Sequence, residues 1–251
     1  DHIKTHPDFI RPEQYKNEIL SFLKEPLEDL CISRPKTRLT WGITLPFDPD
    51  YVTYVWFDAL VNYISALGWP DGDRFKKYWP ACRHFVAKDI IKPHGIYWPI
   101  MLRAAGIDLY DGLNVHGFWN VKGSKMSKSI GNVTDPVQVT DEYGTDSFRY
   151  FLMREMVFGL DANFTEETIV ARINSDLAND LGNLFSRVLS MTHRYLEGQV
   201  KKPDPAEQAE LSLEPDVSLC AADFTRAMDK CEFHKGLASI WKLVSRMNKY
   251  I

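Results

Sequence analysis

Asn114-Val115-His116-Gly117-Phe118-Trp119, followed without a break by Asn120-Val121-Lys122-Gly123-Ser124-Lys125-Met126-Ser127-Lys128-Ser129-Ile130-Gly131-Asn132, is the stretch on which the fold turns. Its first six residues read as a short strand. They run directly into a glycine-flanked loop in which Lys125 and Lys128 stand three residues apart. Glycine permits unusual backbone conformations. Lysine is a flexible point charge suited to a phosphate that develops charge during a reaction. Ser127 and Ser129 add hydroxyl donors. A solvated basic turn has the same residue types, so the run alone leaves both readings open.

Upstream, Tyr51-Val52-Thr53-Tyr54-Val55-Trp56-Phe57 and His84-Phe85-Val86-Ala87 read as two further strands, alternating with helix-like stretches at 58–67 and 94–105. Strands alternating with helices imply a parallel α/β sheet. Ligands of such sheets bind outside the carboxyl ends of the strands. The loops after Phe57, Ala87 and Trp119 are therefore expected to converge on one cleft. Residues 13–30 read as helices interrupted near Pro26.

Downstream, 140–158 reads as one helix with an aromatic face (Tyr143, Phe148, Tyr150, Phe151). Thr165 is a good N-cap, with Glu166 and Glu167 favourable to the helix dipole. Ile173, Leu177, Leu181, Leu184 and Val188 mark one helical face. A polar linker over 198–219 precedes a second long helix carrying Phe224, Met228, Cys231, Ile240, Val244 and Met247. The fold class expected is α/β with an appended helical bundle.

The chain of 251 residues, 45 % hydrophobic, has ample apolar content for one large core or two smaller ones. Its net charge of −4 lacks the global basic excess of a nucleic-acid binder, so an RNA contact needs a local patch such as Lys122, Lys125 and Lys128. The four cysteines (Cys31, Cys82, Cys220, Cys231) contain no C-x-x-C pair, which argues against a zinc knuckle or redox motif and fits a reducing cytoplasm. No apolar run approaches the roughly 20 residues of a membrane span, and no signal peptide is evident. No metal site is expected, and no P-loop occurs. The chain opens on Asp1 and ends in a running helical pattern, so a piece of a longer protein is expected.

Among residues suited to chemistry, Trp56 at a strand end and Tyr63 on the next helix can wall an apolar pocket or simply fill a core. His94 is a structural or a functional histidine. Arg34 is a cleft cation or a structural ion-pair partner. Asn183 and Arg187 lie one turn apart beside the apolar face, where both reach solvent.

The string Gly123–Asn132 reproduces the KMSKS signature of class I aminoacyl-tRNA synthetases, and its GSKMSKSIGN context resembles the methionyl-tRNA synthetase family. Tyr54–Tyr63 resembles that family's VW.DA...Y segment, with Leu60 where proline is frequent; the resemblance implies that Trp56, Ala59 and Tyr63 line the methionine pocket. A thioether packs well on aromatic faces. Ala87–His94 resembles the family's GKDI...H segment with alanine for glycine, implying that His94 reaches the methionine and that Lys88 and Asp89 face the cleft. Ser33-Arg34 and Trp41-Gly42 resemble its SR...WG segment.

The resemblance further implies that His116, Gly117 and Trp119 form a strand edge meeting adenine. Lys125, Ser127, Lys128 and Ser129 belong to a mobile loop closing on ATP, with Lys125 and Lys128 catalytic. Ser175–Arg187 resembles the anticodon helix, implying that Asn183 and Arg187 contact the anticodon. Trp241 is expected in the core.

The implied cofactor is ATP with Mg2+, without protein-bound zinc. The implied partners are methionine, ATP, tRNA(Met) and the amino-terminal half of the same enzyme, with no membrane. Nothing here matches the HIGH motif, so the chain alone is expected to be inert or nearly so. The expected organisation is 1–32 as the end of the connective insertion, 33–120 as the second half of a Rossmann-like catalytic domain, 121–162 as the lysine loop and stem-contact region, and 163–251 as the anticodon-binding bundle. A synthetase for another apolar amino acid and a noncatalytic tRNA-binding module are the competing readings.

Overall fold

The computed structural model describes residues 1–121, 123–126, 133–200 and 213–251. It divides into two compact units, Asp1–His116 and Gly117–Ile251.

The first unit is built on a three-stranded parallel sheet in the order β1 (Ile10–Arg11), β6 (Gly112–His116), β5 (Arg83–Ala87). The central strand is buried on both faces, with Leu113 and Val115 inaccessible to solvent and Asn114 buried between them. Its residues nevertheless alternate, Leu113 and Val115 with the polar Asn114 and His116, so the pattern alone does not show that both faces are covered. Helix α1 (Glu13–Phe22) contributes Ile19, helix α2 (Val55–Ser65) contributes Leu60 and Ile64, and helix α4 (Trp98–Ala104) contributes Trp98 and Leu102 to the core around this sheet. A shorter helix, α3 (Asp73–Tyr78), precedes β5.

Tyr51–Phe57 corrects the expectation of a strand in this sheet. The strand is β4 (Asp48–Thr53), antiparallel to β2 (Ser33–Pro35) and β3 (Thr44–Leu45) in a separate sheet. Helix α2 then begins at Val55, so Trp56 and Phe57 are helical. Two periods meet inside one apolar run. Val52 is buried between exposed Tyr51 and half-buried Thr53, a strand pattern, whereas Trp56, Leu60 and Ile64 recur at four-residue steps. The strand expected over 114–119 ends at His116, and the loops after Ala87 and His116, like that after Arg11, leave the parallel sheet at its carboxyl edge. Residues 23–32 form no helix.

The second unit carries the sheet β8 (Ser124–Lys125), β7 (Trp119–Val121), β9 (Ala162–Asn163). Gly117 is needed at its start, because a Cβ there would lie 2.2 Å from the Leu160 carbonyl oxygen. The expected helix over 140–158 is two helices, α5 (Pro136–Tyr143) and α6 (Thr145–Glu155), broken at Gly144 with φ +83°. Asp135 caps α5 through the Val137 N–H. Val139, Phe148, Phe151, Phe164 and Ile169 form the second core.

Thr165 caps α7 (Glu166–Arg172) in a reciprocal box with Thr168. A π-helical segment, Ile173–Gly182, separates α7 from α8 (Asn183–Leu196). Its wider turn shifts the phase of the expected apolar face, leaving Leu181 and Val188 exposed and burying Asp176 instead. The linker ends earlier than expected. Helix α9 (Glu214–Asp229) begins at Glu214, and a break at Cys231 with φ +59° separates it from α10 (Phe233–Tyr250).

Candidate functional site

In the first unit, α2 and the segment after β5 bring three of the expected methionine-site residues together. Lys88–Ile90 form a 3-10 turn at the end of β5, and Pro93–Tyr97 form a π-helical turn before α4. Such turns concentrate at functional sites. This one holds His94, which is 1 % exposed. The His94 Nδ1 lies 2.9 Å from the Ile90 carbonyl oxygen, and its Nε2 lies 2.9 Å from the Tyr63 hydroxyl. A carbonyl only accepts, so Nδ1 carries the proton and Nε2 accepts from the Tyr63 O–H. Tyr110 donates its hydroxyl to the His94 carbonyl oxygen at 2.7 Å.

Trp56 presents its ring edge-on to His94 at 5.8 Å, while Tyr63 stays partly open to solvent. Burial lowers the His94 pKa more than its bond to Ile90 raises it, so the imidazole is neutral near pH 7. Ala59 is exposed on α2. Trp56, with Tyr54, Phe57 and Leu60, also walls an apolar cavity of about 610 Å³ closed by 22–32, which Ala59, Tyr63 and His94 do not line.

His84 is a member of this cluster that no motif points to. It lies on β5, 4 % exposed, with its ring 4.4 Å from those of both Tyr63 and Tyr110. Its Nε2 has no hydrogen-bond partner among the described residues. Burial first, and then neighbouring His94, lowers its pKa to about 4. The unfolded chain titrates near 6.5 and so binds a proton that the folded protein refuses. Stability is therefore full above about pH 6.5 and is lost as pH falls toward 4, by on the order of 3 kcal/mol. Urea unfolding at pH 7 and pH 4.5 reads this loss, and His84→Phe is expected to flatten it. An unchanged pH dependence in that variant removes His84 as the cause.

The remaining expected cleft residues are more dispersed. Arg34 places its guanidinium 4.0 Å over the Tyr54 ring and donates to the carbonyls of Cys31 and Ser33 at 3.1 and 2.7 Å. It makes no ion pair among the described residues. Lys88 and Asp89 sit in the turn leaving β5, and His116 ends β6 beside Ala87.

In the second unit, Trp119 packs against Phe151 and Phe164, with β7 paired on both sides by β8 and β9. The Trp119 carbonyl accepts from the Met126 N–H at 3.2 Å, and Met126 packs on the second core. The lysine loop is thus entered through a β-hairpin turning at Gly123, φ +79°. The Lys125 side chain, the whole of Ser127, Lys128 and Ser129, and with them the expectation of a mobile loop, lie outside the described residues.

Asn183 opens α8 on its exposed side. Arg187 donates through Nη1 to the Asn248 carbonyl at 3.3 Å, and the Asn248 side chain donates to the Asp180 carbonyl at 3.0 Å. Buried Asp176 accepts from the Tyr150 hydroxyl and Ser175, both at 2.7 Å, and faces Arg172 and Arg154 at 3.3 and 3.5 Å. Burial alone would raise its pKa, but those bonds and charges bring it below the ordinary value. Trp241 stacks obliquely on Tyr150 at 4.8 Å and donates to the Asp176 carbonyl.

Among the described residues, no helix is long and apolar enough to cross a membrane. The family described as tRNA synthetases class I (M) matches residues 1–189. The methionine–tRNA ligase of Caldanaerobacter subterraneus subsp. tengcongensis is 49 % identical over 250 residues, covering 99 % of this chain and 39 % of the relative. That of Lactococcus lactis is 50 % identical over 249 residues, covering 98 % and 37 %. The crystal structure of Mycobacterium tuberculosis methionyl-tRNA synthetase bound by methionyl-adenylate superposes with a TM-score of 0.86 at 44 % identity, over 99 % of this chain and 49 % of that one. The chain therefore spans between about two fifths and one half of the proteins it matches.

Proposed function

Because this chain belongs to the methionyl-tRNA synthetase family of class I tRNA synthetases, we propose that, together with the segments its longer relatives carry, it activates methionine and charges tRNA(Met) in the cytoplasm. A methionine carboxylate oxygen attacks the α-phosphorus of ATP, the bond to the β-bridging oxygen breaks, and pyrophosphate leaves with the electron pair. A hydroxyl at the tRNA 3′ end then attacks the carbonyl carbon of the adenylate, and AMP departs. No protein nucleophile is required, so the chain contributes position and charge.

The observation that carries this reading is the neutral His94 clamped between Ile90 and Tyr63, with Trp56 edge-on to it. These groups, with Ala59, receive a thioether and offer it polarizable faces and a neutral hydrogen-bonding pair rather than a charge. Arg34, Lys88 and Asp89 orient the substrates. His116, Gly117 and Trp119 meet the adenine through backbone. Lys125 and Lys128, helped by Ser127 and Ser129, steady the departing pyrophosphate, and Asn183 and Arg187 read the unpaired anticodon bases. Mg2+ enters on the phosphates of ATP, whose negative charge it neutralises.

ATP–pyrophosphate exchange by the full-length protein tests the assignment. Methionine is expected to support exchange, with leucine, isoleucine and valine at least tenfold poorer in kcat/KM. Exchange with one of those three and none with methionine overturns the substrate. Full exchange by residues 1–251 alone overturns the need for the remaining segments.

A further inference from the structure

A second set of cations in the helical unit lies away from the lysine loop. Arg154, Lys242, Arg246 and Lys249 line one open groove of about 580 Å³, together with Ala238, Trp241 and Ser245. No acidic residue is among the described residues that line it. Lys242, Arg246 and Lys249 follow at steps of four and three along α10, which places them on one face. The first and last are separated by about 10 Å along the axis at 1.5 Å per residue. Ala238 and Ser245 keep the floor low between the long side chains.

The cations are incompletely neutralised. Arg246 pairs with Asp216, but Lys242 and Lys249 are exposed and have no ion-pair partner among the described residues. Arg154 faces Asp176, which also answers Arg172, Tyr150 and Ser175. The Arg154 Nε is buried and meets the Asp176 carboxylate at 3.5 Å without forming a hydrogen bond. Trp241 is committed to Tyr150 and the Asp176 carbonyl, so the groove offers charge rather than a ring for bases to stack on. Arg187, placed above at the anticodon, is fastened to the carbonyl of Asn248, the residue before Lys249. The groove and the proposed anticodon contacts thus share α10.

We propose that this groove binds the phosphodiester backbone of the tRNA, holding the RNA by charge independently of its sequence while Asn183 and Arg187 read bases. The proposal rests on the tRNA reading above and adds to it a second contact with a different chemistry. Phosphate contacts position an RNA, and base contacts specify it.

Binding of tRNA(Met) to the full-length protein across a salt series tests it. Lys242→Gln with Lys249→Gln is expected to weaken binding about tenfold at low salt. It should also reduce the slope of log Kd against log salt by roughly 1.4–1.8, at about 0.7–0.9 per lost phosphate contact. Arginine at both positions keeps the slope. The loss is expected to be equal for a tRNA with an altered anticodon, and a melting midpoint within about a degree of the parent's shows that the variant is folded. An unchanged slope while Asn183→Ala still weakens binding overturns the groove and leaves the anticodon reading standing. A loss confined to the cognate anticodon also overturns it, because backbone contacts cannot read that difference. Failure of the unaltered protein to bind tRNA overturns both readings together.

Discussion

Replacing His94 by leucine in the full-length protein is expected to raise the KM for methionine about a hundredfold in pyrophosphate exchange, with the KM for ATP moving less than about threefold. Leucine fills the volume but neither donates to Ile90 nor accepts from Tyr63. Each abandoned partner in a buried setting costs about 1–3 kcal/mol, and every 1.4 kcal/mol is a factor of ten in binding. The Tyr63 phenol is then no longer held by the imidazole, and Trp56 loses the ring it meets edge-on, so the site loses its shape. Tyr63→Phe removes one bond and leaves the ring, so its effect on methionine is expected near tenfold. The KM split separates this role from general packing. Equal losses for methionine and ATP would show that His94 only supports the fold, and an unchanged methionine KM would remove it from the site.

Gly117→Val is expected to be the most damaging single substitution in the chain for stability. The new Cβ would stand 2.2 Å from the Leu160 oxygen and 2.3 Å from its carbonyl carbon, both backbone atoms that cannot rotate aside. Strands β7 and β9 must part locally. Parting them strains the Ala162 N–H bond to the Phe118 carbonyl and the Phe118 N–H bond to the Asp161 carboxylate, each 2.9 Å. Overpacking against backbone with lost pairing costs about 3 kcal/mol or more. For a protein of this size that is a fall in Tm of roughly 6–12 °C. Calorimetry checks it, with Gly123→Ala as the comparison, since a Cβ at Gly123 meets nothing within 4 Å although its φ of +79° still disfavours a side chain. A Gly117→Val protein that melts with the parent would mean that β7 and β9 yield without cost.

Much of this architecture is legible in residue patterns, and the exceptions have physical causes. Strands β5 and β6 stand out through their apolar residues, Phe85 and Val86 in one and Leu113 and Val115 in the other, between helix-like stretches. The cap at Thr165 is local chemistry and appears as expected. The 51–57 run misleads because strand and helix periods join at Tyr54, and a short window averages them. The π-helical segments at 93–97 and 173–182 are invisible to a 3.6-residue template, since one wide turn rotates everything after it. Tyr63 and His94 are visible as residues, but their bond spans 31 positions and has no spacing signature. His84 was in plain view on β5. Nothing local marks a histidine that two tyrosines will enclose.

The strand order β1-β6-β5 also sets a timetable. Ile10 pairs with Leu113, so this pairing of β1 with β6 waits until about a hundred further residues have been made. At 5–20 residues per second on the ribosome, that wait is roughly 5–20 s. Contacts so distant in sequence form late. The hairpin of β7 and β8 and the helices after it close over short separations, and they emerge only when β1 and β6 can at last meet. The pairing of β1 with β6, in the parallel sheet that carries the His94 turn, is thus among the last in its unit to form.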